Sequence, residues 1–371
     1  MDFAHLVAMR APRPTLLIYN SEDDCCFRAP FVKRENFDAI LPFFRLYGSE
    51  DGLRWHENSD PGDHNYQLDN RLQSYRFFAK HFGLAPPREE IPVGADVKSA
   101  EELTVGLPKD NLTILGLARK LAAQVERPAT GSSQAELPGW REKQRELLRE
   151  TVRFRPVEVD RAWIAGNTNR KGLETISYRF AFNHGLSAVG IWLKPIGVPR
   201  NAPASIVIAD GGRKTSQAEV STRLNRGEQV LALDLLFLGE MGQFQRPGPS
   251  GFAQALAGLG ERALGMEAAQ LIGAARWLQR LSHRPAVALE ATGMRTQVVA
   301  LVAAALQPEL FTEPTVRKGL SSLRHLFEAP VDPRAAPELF CLNLYPRFDI
   351  DGLIKLRSDG IMRAPLGRKE E

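Results

Sequence analysis

The sequence of 371 residues has few cysteines, only Cys25, Cys26 and Cys341. An odd number with two adjacent members gives neither a disulfide framework nor the spacing of a cysteine–histidine zinc site, so no metal and no other cofactor is predicted. No apolar run approaches the ~18 residues that span a bilayer, so no membrane contact is predicted. Basic residues form no long run and the net charge is only +4, which argues against a nucleic-acid partner.

The rest of the composition is that of a globular protein. Hydrophobic residues make up 43% and charged residues 25%, which excludes a disordered chain and a coiled coil. The length predicts two domains, or one large domain with additions. The first residues lack a basic segment followed by an apolar core, so no secretory signal is predicted at this end, and the compartment stays open.

Alternating apolar runs divide the chain into three stretches. Residues 1–84 and 151–371 show the alternation of strands and helices that is typical of an α/β fold, with a mainly parallel sheet covered on both faces. Residues 85–150 are proline-rich and predict a linker with short helices. The runs predicted as strands are 15–20, 43–47, 174–182, 188–194, 205–209, 230–234 and 286–290.

An acid and a histidine follow two predicted strands of the first stretch. Asp24 comes just after residues 15–20, and His64 lies in the loop after the next strand. Catalytic groups gather at the carboxyl ends of parallel strands, where a carboxylate can orient an imidazole that acts as a general base. Asp23 is an alternative acid and His56 a weaker alternative base. The competing interpretation is a turn aspartate that caps the next helix, with a surface histidine.

These segments resemble a known family. Residues 11–24 (A-P-R-P-T-L-L-I-Y-N-S-E-D-D) and residues 62–66 (G-D-H-N-Y) are similar to the last third of an α/β-hydrolase. They are most similar to carbohydrate esterases of the acetyl-xylan-esterase and glucuronoyl-esterase type. The resemblance implies Asp24 as the acid of a catalytic triad, His64 as its base, and hydrolysis of an ester on a plant polysaccharide. It also implies that relatives are often exported.

The family places its nucleophilic serine at a sharp strand-to-helix turn with the pattern G-x-S-x-G. No such pattern occurs as an elbow in this chain. Alignment of the strand and helix around residues 285–306 puts Met294 at the serine position, with Thr292 as an alternative hydroxyl. A methionine cannot open an acyl transfer. Gly211 and Gly212 follow another strand, where the family builds part of its oxyanion hole, although the same pair also suits a tight turn.

The order of the parts is unusual, because the acid and the base precede the strands that should come before them. One interpretation is the middle of a tandem protein, and the other is a circular permutant. Burial of apolar surface favours a composite α/β-hydrolase-like sheet, with strands supplied in permuted order by residues 1–84 and 170–357.

The sequence therefore predicts a carbohydrate-esterase-like α/β-hydrolase whose activity is impaired because no serine nucleophile is visible. The alternative is a non-catalytic pseudo-hydrolase that binds carbohydrate or a protein partner. Exposed aromatic side chains would then stack on sugars, and the aromatic residues considered for this role are Trp55, Tyr66, Trp192 and Phe237. The ester, the sugar and the oligomeric state stay open.

Overall fold

The strands of the chain lie in two separate sheets. A computed structural model describes residues 2–127, 137–243, 249–329 and 331–357, and the chain divides into two units, Met1–Pro108 and Lys109–Glu371. Residues 128–136 of the predicted linker lie outside the described residues. In the part of the chain that is described, no helix combines the length and the apolar character needed to cross a membrane.

The first unit is built on two parallel strands, β1 (Thr15–Asn20) and β2 (Leu53–Asn58). Their register runs from Thr15 opposite Leu53 to Asn20 opposite Asn58, so the two strands end at the same level. Five helices accompany them, with a π-helical turn after the second, at α1 (Phe3–Ala8), α2 (Ala29–Lys33), α3 (Leu41–Leu46), α4 (Leu68–Phe82) and α5 (Ala100–Leu103). The helix α4 ends at Gly83, which adopts the left-handed conformation.

The second predicted strand of this unit is wrong. Residues 43–47 lie in α3 and just after it. Pro42 stands in the first turn of this helix, where a backbone N–H would have no acceptor within the helix, so a proline is well tolerated. Phe44 is buried with Ile40 and Leu53 in the small core of this unit. The true second strand is β2, which is half-buried and carries little of the apolar character that identifies a strand in a sequence.

The second unit contains a seven-stranded sheet in the order β3-β4-β5-β7-β6-β8-β9. The strands are β3 (Val159–Arg170), β4 (Leu173–Phe182), β5 (Ser187–Pro195), β6 (Ala204–Ala209), β7 (Gln229–Asp234), β8 (Val287–Thr292) and β9 (Phe311–Arg317). Every residue of β6 and β7 is buried, which explains their continuous apolar sequences.

Helices cover both faces of this sheet. Their bounds are α6 (Ile114–Ala123), α7 (Leu137–Val152), α8 (Gln217–Asn225), α9 (Gly239–Gln243), α10 (Pro249–Gly258), α11 (Ala263–Ser282), α12 (Met294–Leu306), α13 (His325–Glu328), α14 (Leu344–Arg347) and α15 (Asp349–Lys355). The helix α12 is buried on all sides from Thr296 to Leu306, and its alanine and valine side chains let α11 and the sheet approach closely. Val220 of α8 packs on the other face, against Val207 and Val230.

Two predictions about the sheet are corrected. The sheet is mixed rather than mainly parallel, because β3, β4, β5 and β7 pair antiparallel in succession before the parallel part begins.

The predicted composite sheet is not found either, since among the described residues β1 and β2 pair only with each other.

Strand β9 has the features of an edge. Pro314 has no N–H to donate to a further strand, and the carbonyls of Phe311 and Thr312 accept hydrogen bonds from Arg357 at 3.0 and 2.6 Å.

Candidate functional site

A carboxylate–imidazole pair lies beyond the ends of β1 and β2. Oδ2 of Asp23 is 3.0 Å from Nδ1 of His64. The side chain of Asp23 is 8% exposed and that of His64 is 52% exposed, so the acid is buried beneath an accessible ring. Asp24, the first-choice acid of the sequence analysis, is exposed and makes no hydrogen bond with His64. The structure therefore brings together His64 and the alternative acid, Asp23.

Backbone contacts hold the two loops together. The N–H of Ser21 donates to the carbonyl of Asn58 at 2.9 Å, and the N–H of Glu22 donates to the carbonyl of Gly62 at 2.8 Å. Asn70 of α4 donates to the carbonyl of Asn65 at 3.0 Å. These bonds extend the register of the strands past their ends, which is why residues 41 positions apart meet.

Asp23 also organises its own turn. Its Oδ1 accepts the N–H groups of Cys25 at 2.9 Å and Cys26 at 2.7 Å. The N–H of Cys26 is the largest cause that lowers the pKa of Asp23, and the His64 ring and the N–H of Cys25 act in the same direction against the effect of burial. Asp23 is therefore a carboxylate at neutral pH, able to fix the ring orientation and tautomer of His64.

Two thiols lie close to His64. The sulfur atoms of Cys25 and Cys26 are 3.8 Å apart, and they and a ring nitrogen of His64 all lie within 4.8 Å of one another. Both cysteines are exposed, whereas the sequence analysis had no signal for their proximity to residue 64. No serine or threonine hydroxyl of the described residues makes a hydrogen bond with the His64 ring. His56, the weaker alternative base, pairs with Asp69 at 2.6 Å instead.

The predicted nucleophile turn lies in the second unit, between β8 and α12. The residue with the strained backbone there is Gly293, with φ of 116° and ψ of 172°, and Met294 is already the first residue of the helix. The hydroxyl of Thr292 donates to Glu219 at 3.2 Å. The residue at the tip of the turn thus has no side chain at all.

A carboxylate fills the space in front of this tip. Asp210, which follows β6, accepts the N–H of Arg295 at 3.2 Å, the N–H of Thr296 at 2.8 Å and the hydroxyl of Thr296 at 3.0 Å. It therefore caps the N-terminus of α12, where the helix dipole favours a negative charge. A Cβ atom on Gly293 would overlap this carboxylate. The sequence analysis missed this use of Asp210, which lies one position before the predicted oxyanion loop.

The glycines of that loop form a tight turn. The N–H of Gly212 donates to the carbonyl of Ala209 at 2.8 Å, so it is not free to bind an oxyanion. Gly212 has a φ of 78°, and a side chain there would overlap Gly239. The backbone therefore requires glycine at 212 for close packing.

Buried charges surround the turn. Arg295 makes a two-pronged ion pair with Glu338, whose Oε2 is 3.0 Å from Nε of the arginine, and Arg295 also donates to the carbonyl of Phe237 at 3.1 Å. Burial and the neighbouring Glu338 raise the pKa of Glu267 well above 4.5. Arg213 pairs with Asp234 and with Glu240, the latter at 2.8 Å. The turn after β8 is thus surrounded by internal ion pairs.

A cleft lies beside this network. It has a volume of about 600 Å³ and is lined mainly by β3, β4 and β5, with Arg213, Glu240 and Met241 on its other side. Across the sheet, Trp163 of β3 pairs with Arg179 of β4, which in turn pairs with Val189 of β5. Val189 also pairs with Asp234, at the end of β7. The cleft is therefore at the carboxyl edge of the parallel strands, where α/β proteins bind ligands.

The aromatic residue in the cleft differs from those considered in the sequence analysis. Trp163 is 50% exposed, whereas Trp192 and Phe237 are buried. Trp55 stacks on Tyr19 with ring centres 4.8 Å apart. The hydroxyl of Tyr66 is 2.6 Å from that of Ser74. Trp163 was not considered because β3, the edge strand that carries it, was not predicted as a strand from the sequence.

Comparisons with solved structures define the fold. A protein from Bacteroides fragilis described as a proposed acetyl xylan esterase superposes with a TM-score of 0.54 at 15% identity, over 68% of this chain and 75% of that one. Acetyl xylan esterases from Paenibacillus sp. R4 and Thermoanaerobacterium sp. give TM-scores of 0.39 and 0.38 at 14% and 15% identity. They cover 59% and 64% of this chain and 70% and 80% of theirs.

The fold of this chain is similar to the esterase-like fold of the Bacteroides fragilis structure, as the sequence resemblance implied. No family model and no curated protein sequence matches the chain. At this level of identity the likeness concerns the fold, and the chemistry has to be argued from the residues.

Proposed function

We propose that the protein is a non-catalytic relative of the carbohydrate esterases, a pseudo-hydrolase that binds a saccharide in the cleft beside its former catalytic turn. One observation carries the proposal. Gly293, at the tip of the turn, has no side chain and packs against the carboxylate of Asp210. A nucleophilic side chain at this tip, and the ester that it attacks, would both need the space that the Asp210 carboxylate occupies while it caps α12.

The cleft supports binding of a sugar. It combines an exposed indole, Trp163, with side chains that donate and accept hydrogen bonds, Arg179, Ser187 and Glu240. An aromatic face packs on the C–H surface of a pyranose, while polar groups at its rim bind hydroxyls. The structural neighbour with a TM-score of 0.54 is described as a proposed acetyl xylan esterase, which makes xylo-oligosaccharides the first ligands to test.

Ester hydrolysis is the second candidate function, and the Asp23–His64 pair favours it. A buried carboxylate that orients an accessible imidazole is two-thirds of a hydrolase triad. It ranks second because none of the described hydroxyls lies in hydrogen-bond contact with the ring.

We expect the protein to hydrolyse p-nitrophenyl acetate no faster than a matched protein control once two equivalents per chain have been consumed. This limit allows for acetylation of the two exposed thiols, Cys25 and Cys26. The variants His64→Ala and Met294→Ser should leave the steady-state rate unchanged, since no hydroxyl faces the ring and residue 294 is not at the tip of the turn. Sustained turnover that His64→Ala abolishes would refute the pseudo-hydrolase and establish the second candidate.

We expect xylo-oligosaccharides to bind to the protein. The variant Trp163→Ala should raise their dissociation constant by about tenfold, which corresponds to the ~1.4 kcal/mol of one aromatic contact. Isothermal titration calorimetry measures this directly. Trp140→Phe is the matched control, because Trp140 is partly buried against the main core and does not line the cleft. Unaltered binding in Trp163→Ala, or no binding by the unmodified protein, would contradict the assignment of the cleft.

A further inference from the structure

We propose that Cys25, Cys26 and His64 form a binding site for a thiophilic divalent metal ion of the Zn²⁺ type. The three side chains are brought together by the parallel pairing of β1 and β2, and all three are exposed. Two thiolates and an imidazole are the donor set that zinc prefers in proteins. This inference does not depend on the proposed saccharide-binding function.

The sulfur separation fits a tetrahedral ion. With Zn–S bonds of about 2.3 Å, two sulfur ligands at the tetrahedral angle lie roughly 3.8 Å apart. Sγ of Cys25 and Sγ of Cys26 are 3.8 Å apart. A ring nitrogen of His64 lies within 4.8 Å of both sulfur atoms. A movement of about 1 Å by this exposed side chain would bring the nitrogen to the third corner of the tetrahedron around the ion.

Asp23 holds both kinds of ligand in place. Its Oδ1 accepts the N–H groups of both cysteines, which fixes the turn that presents the thiols. Its Oδ2 accepts from Nδ1–H of His64, which leaves the lone pair of Nε2 free for a metal. A carboxylate behind a ligating histidine is the usual outer-shell arrangement of zinc sites, where it orients the ring and increases its basicity.

The chemistry of binding is a simple exchange. Each thiol loses its proton to solvent as its sulfur bonds the ion, and the neutral imidazole adds its lone pair without losing a proton. The fourth position faces solvent and takes a water molecule.

The first experiment titrates Co²⁺ into the full chain, freed of metal and kept reduced with a non-thiol phosphine. We expect one equivalent to bind, with thiolate-to-cobalt charge-transfer absorption in the near ultraviolet and the intense visible bands of tetrahedral cobalt. Zn²⁺ should displace it. Absence of these bands, or of zinc binding in a competition with a chromophoric chelator, would overturn the proposal.

Variants locate the site. Cys25→Ser, Cys26→Ser and His64→Ala should each abolish the one-equivalent binding, whereas Cys341→Ser should retain it. Cys341 is the third cysteine, and burial raises its pKa to about 12. His56→Ala is the control for the histidine, since His56 also pairs with a carboxylate but has no thiol beside it. Binding that survives any of the three ligand variants would overturn the site.

Asp23→Asn tests the positioning role. The amide oxygen can still accept from the two cysteine N–H groups, but an amide nitrogen in place of Oδ2 cannot accept from Nδ1–H of His64. We expect a loss of affinity of about 10–100-fold with the charge-transfer absorption preserved. Unchanged zinc affinity in this variant would refute the role assigned to Asp23.

Discussion

Replacing Arg295 by alanine should destabilise the second unit by about 3–5 kcal/mol, because it leaves the buried carboxylate of Glu338 without its partner. The Glu338 side chain is 0% exposed and that of Arg295 is 15% exposed. The same substitution removes the positive charge that attracts the Asp210 carboxylate, and the carbonyl of Phe237 loses its hydrogen-bond donor. Urea denaturation followed by far-ultraviolet circular dichroism measures the loss as a lower midpoint of the second unit's transition.

The control for this prediction is an exposed pair of the same chemistry. Arg324 and Glu328 are 2.9 Å apart, with side chains 63% and 61% exposed. Arg324→Ala should change the free energy of unfolding by less than about 1 kcal/mol, because solvent screens the pair and already hydrates both charges. Equal losses in the two variants would show that the Arg295 pair is not the buried ion pair described above.

A double substitution separates the cost of the orphaned charge from the value of the pair. Arg295→Met combined with Glu338→Leu removes both charges and keeps apolar volume, so most of the loss seen in Arg295→Ala should be recovered. Such an outcome would mean that these charges are not needed for stability.

Burial on both faces accounts for the continuous apolar character of two of the strands that the sequence predicted correctly. Residues 205–209 and 230–234 are continuous apolar runs because helices cover β6 and β7 from both sides. Strands β3 and β9 were missed for the converse reason. Most of β3 is exposed, and β9 contains a proline, so neither has the pattern of a central strand.

A short apolar run has no intrinsic preference that distinguishes helix from strand. Residues 43–47 were predicted as a strand, yet Phe44 reaches the core equally well from α3. The preceding Pro42 was the available signal, since proline is common in a first helical turn and breaks a strand ladder.

The acid of the carboxylate–imidazole pair could not be chosen from the sequence alone. Asp23 and Asp24 are adjacent and chemically identical, and only the turn decides which of them faces His64. In the structure, Asp23 is held by two backbone N–H groups, which orient its second oxygen toward the ring. Spacing along the chain contains no information about such a turn.

The tip of the turn after β8 could not be located from the sequence to better than one residue. The family alignment placed Met294 at the nucleophile position, whereas the backbone places Gly293 at the tip. The charge on Arg295, at the start of an apolar helix, was a usable signal, because a buried arginine requires buried carboxylates nearby. The carboxylate that pairs with this guanidinium belongs to Glu338, 43 positions away in the sequence.

The second large effect is expected at this tip, where Gly293→Ala should destabilise the second unit by about 3 kcal/mol or more. A residue with φ of 116° and ψ of 172° lies in a region that is essentially restricted to glycine, which costs a side-chain-bearing residue about 1–3 kcal/mol. The new methyl group would also overlap the carboxylate of Asp210, and overpacking of this kind costs a further ~1–3 kcal/mol. The free energy of unfolding in urea is again the measurement.

Gly172→Ala isolates the backbone part of this effect. Gly172 also has a positive φ, 76°, but nothing lies within 4 Å of a Cβ built there, so only a backbone cost of about 1–2 kcal/mol is expected. The difference between the two variants measures the contact between the tip and Asp210. If Gly293→Ala is no worse than Gly172→Ala, the carboxylate moves aside at little cost, the space in front of the turn is accessible, and the main argument against catalysis at this turn is lost.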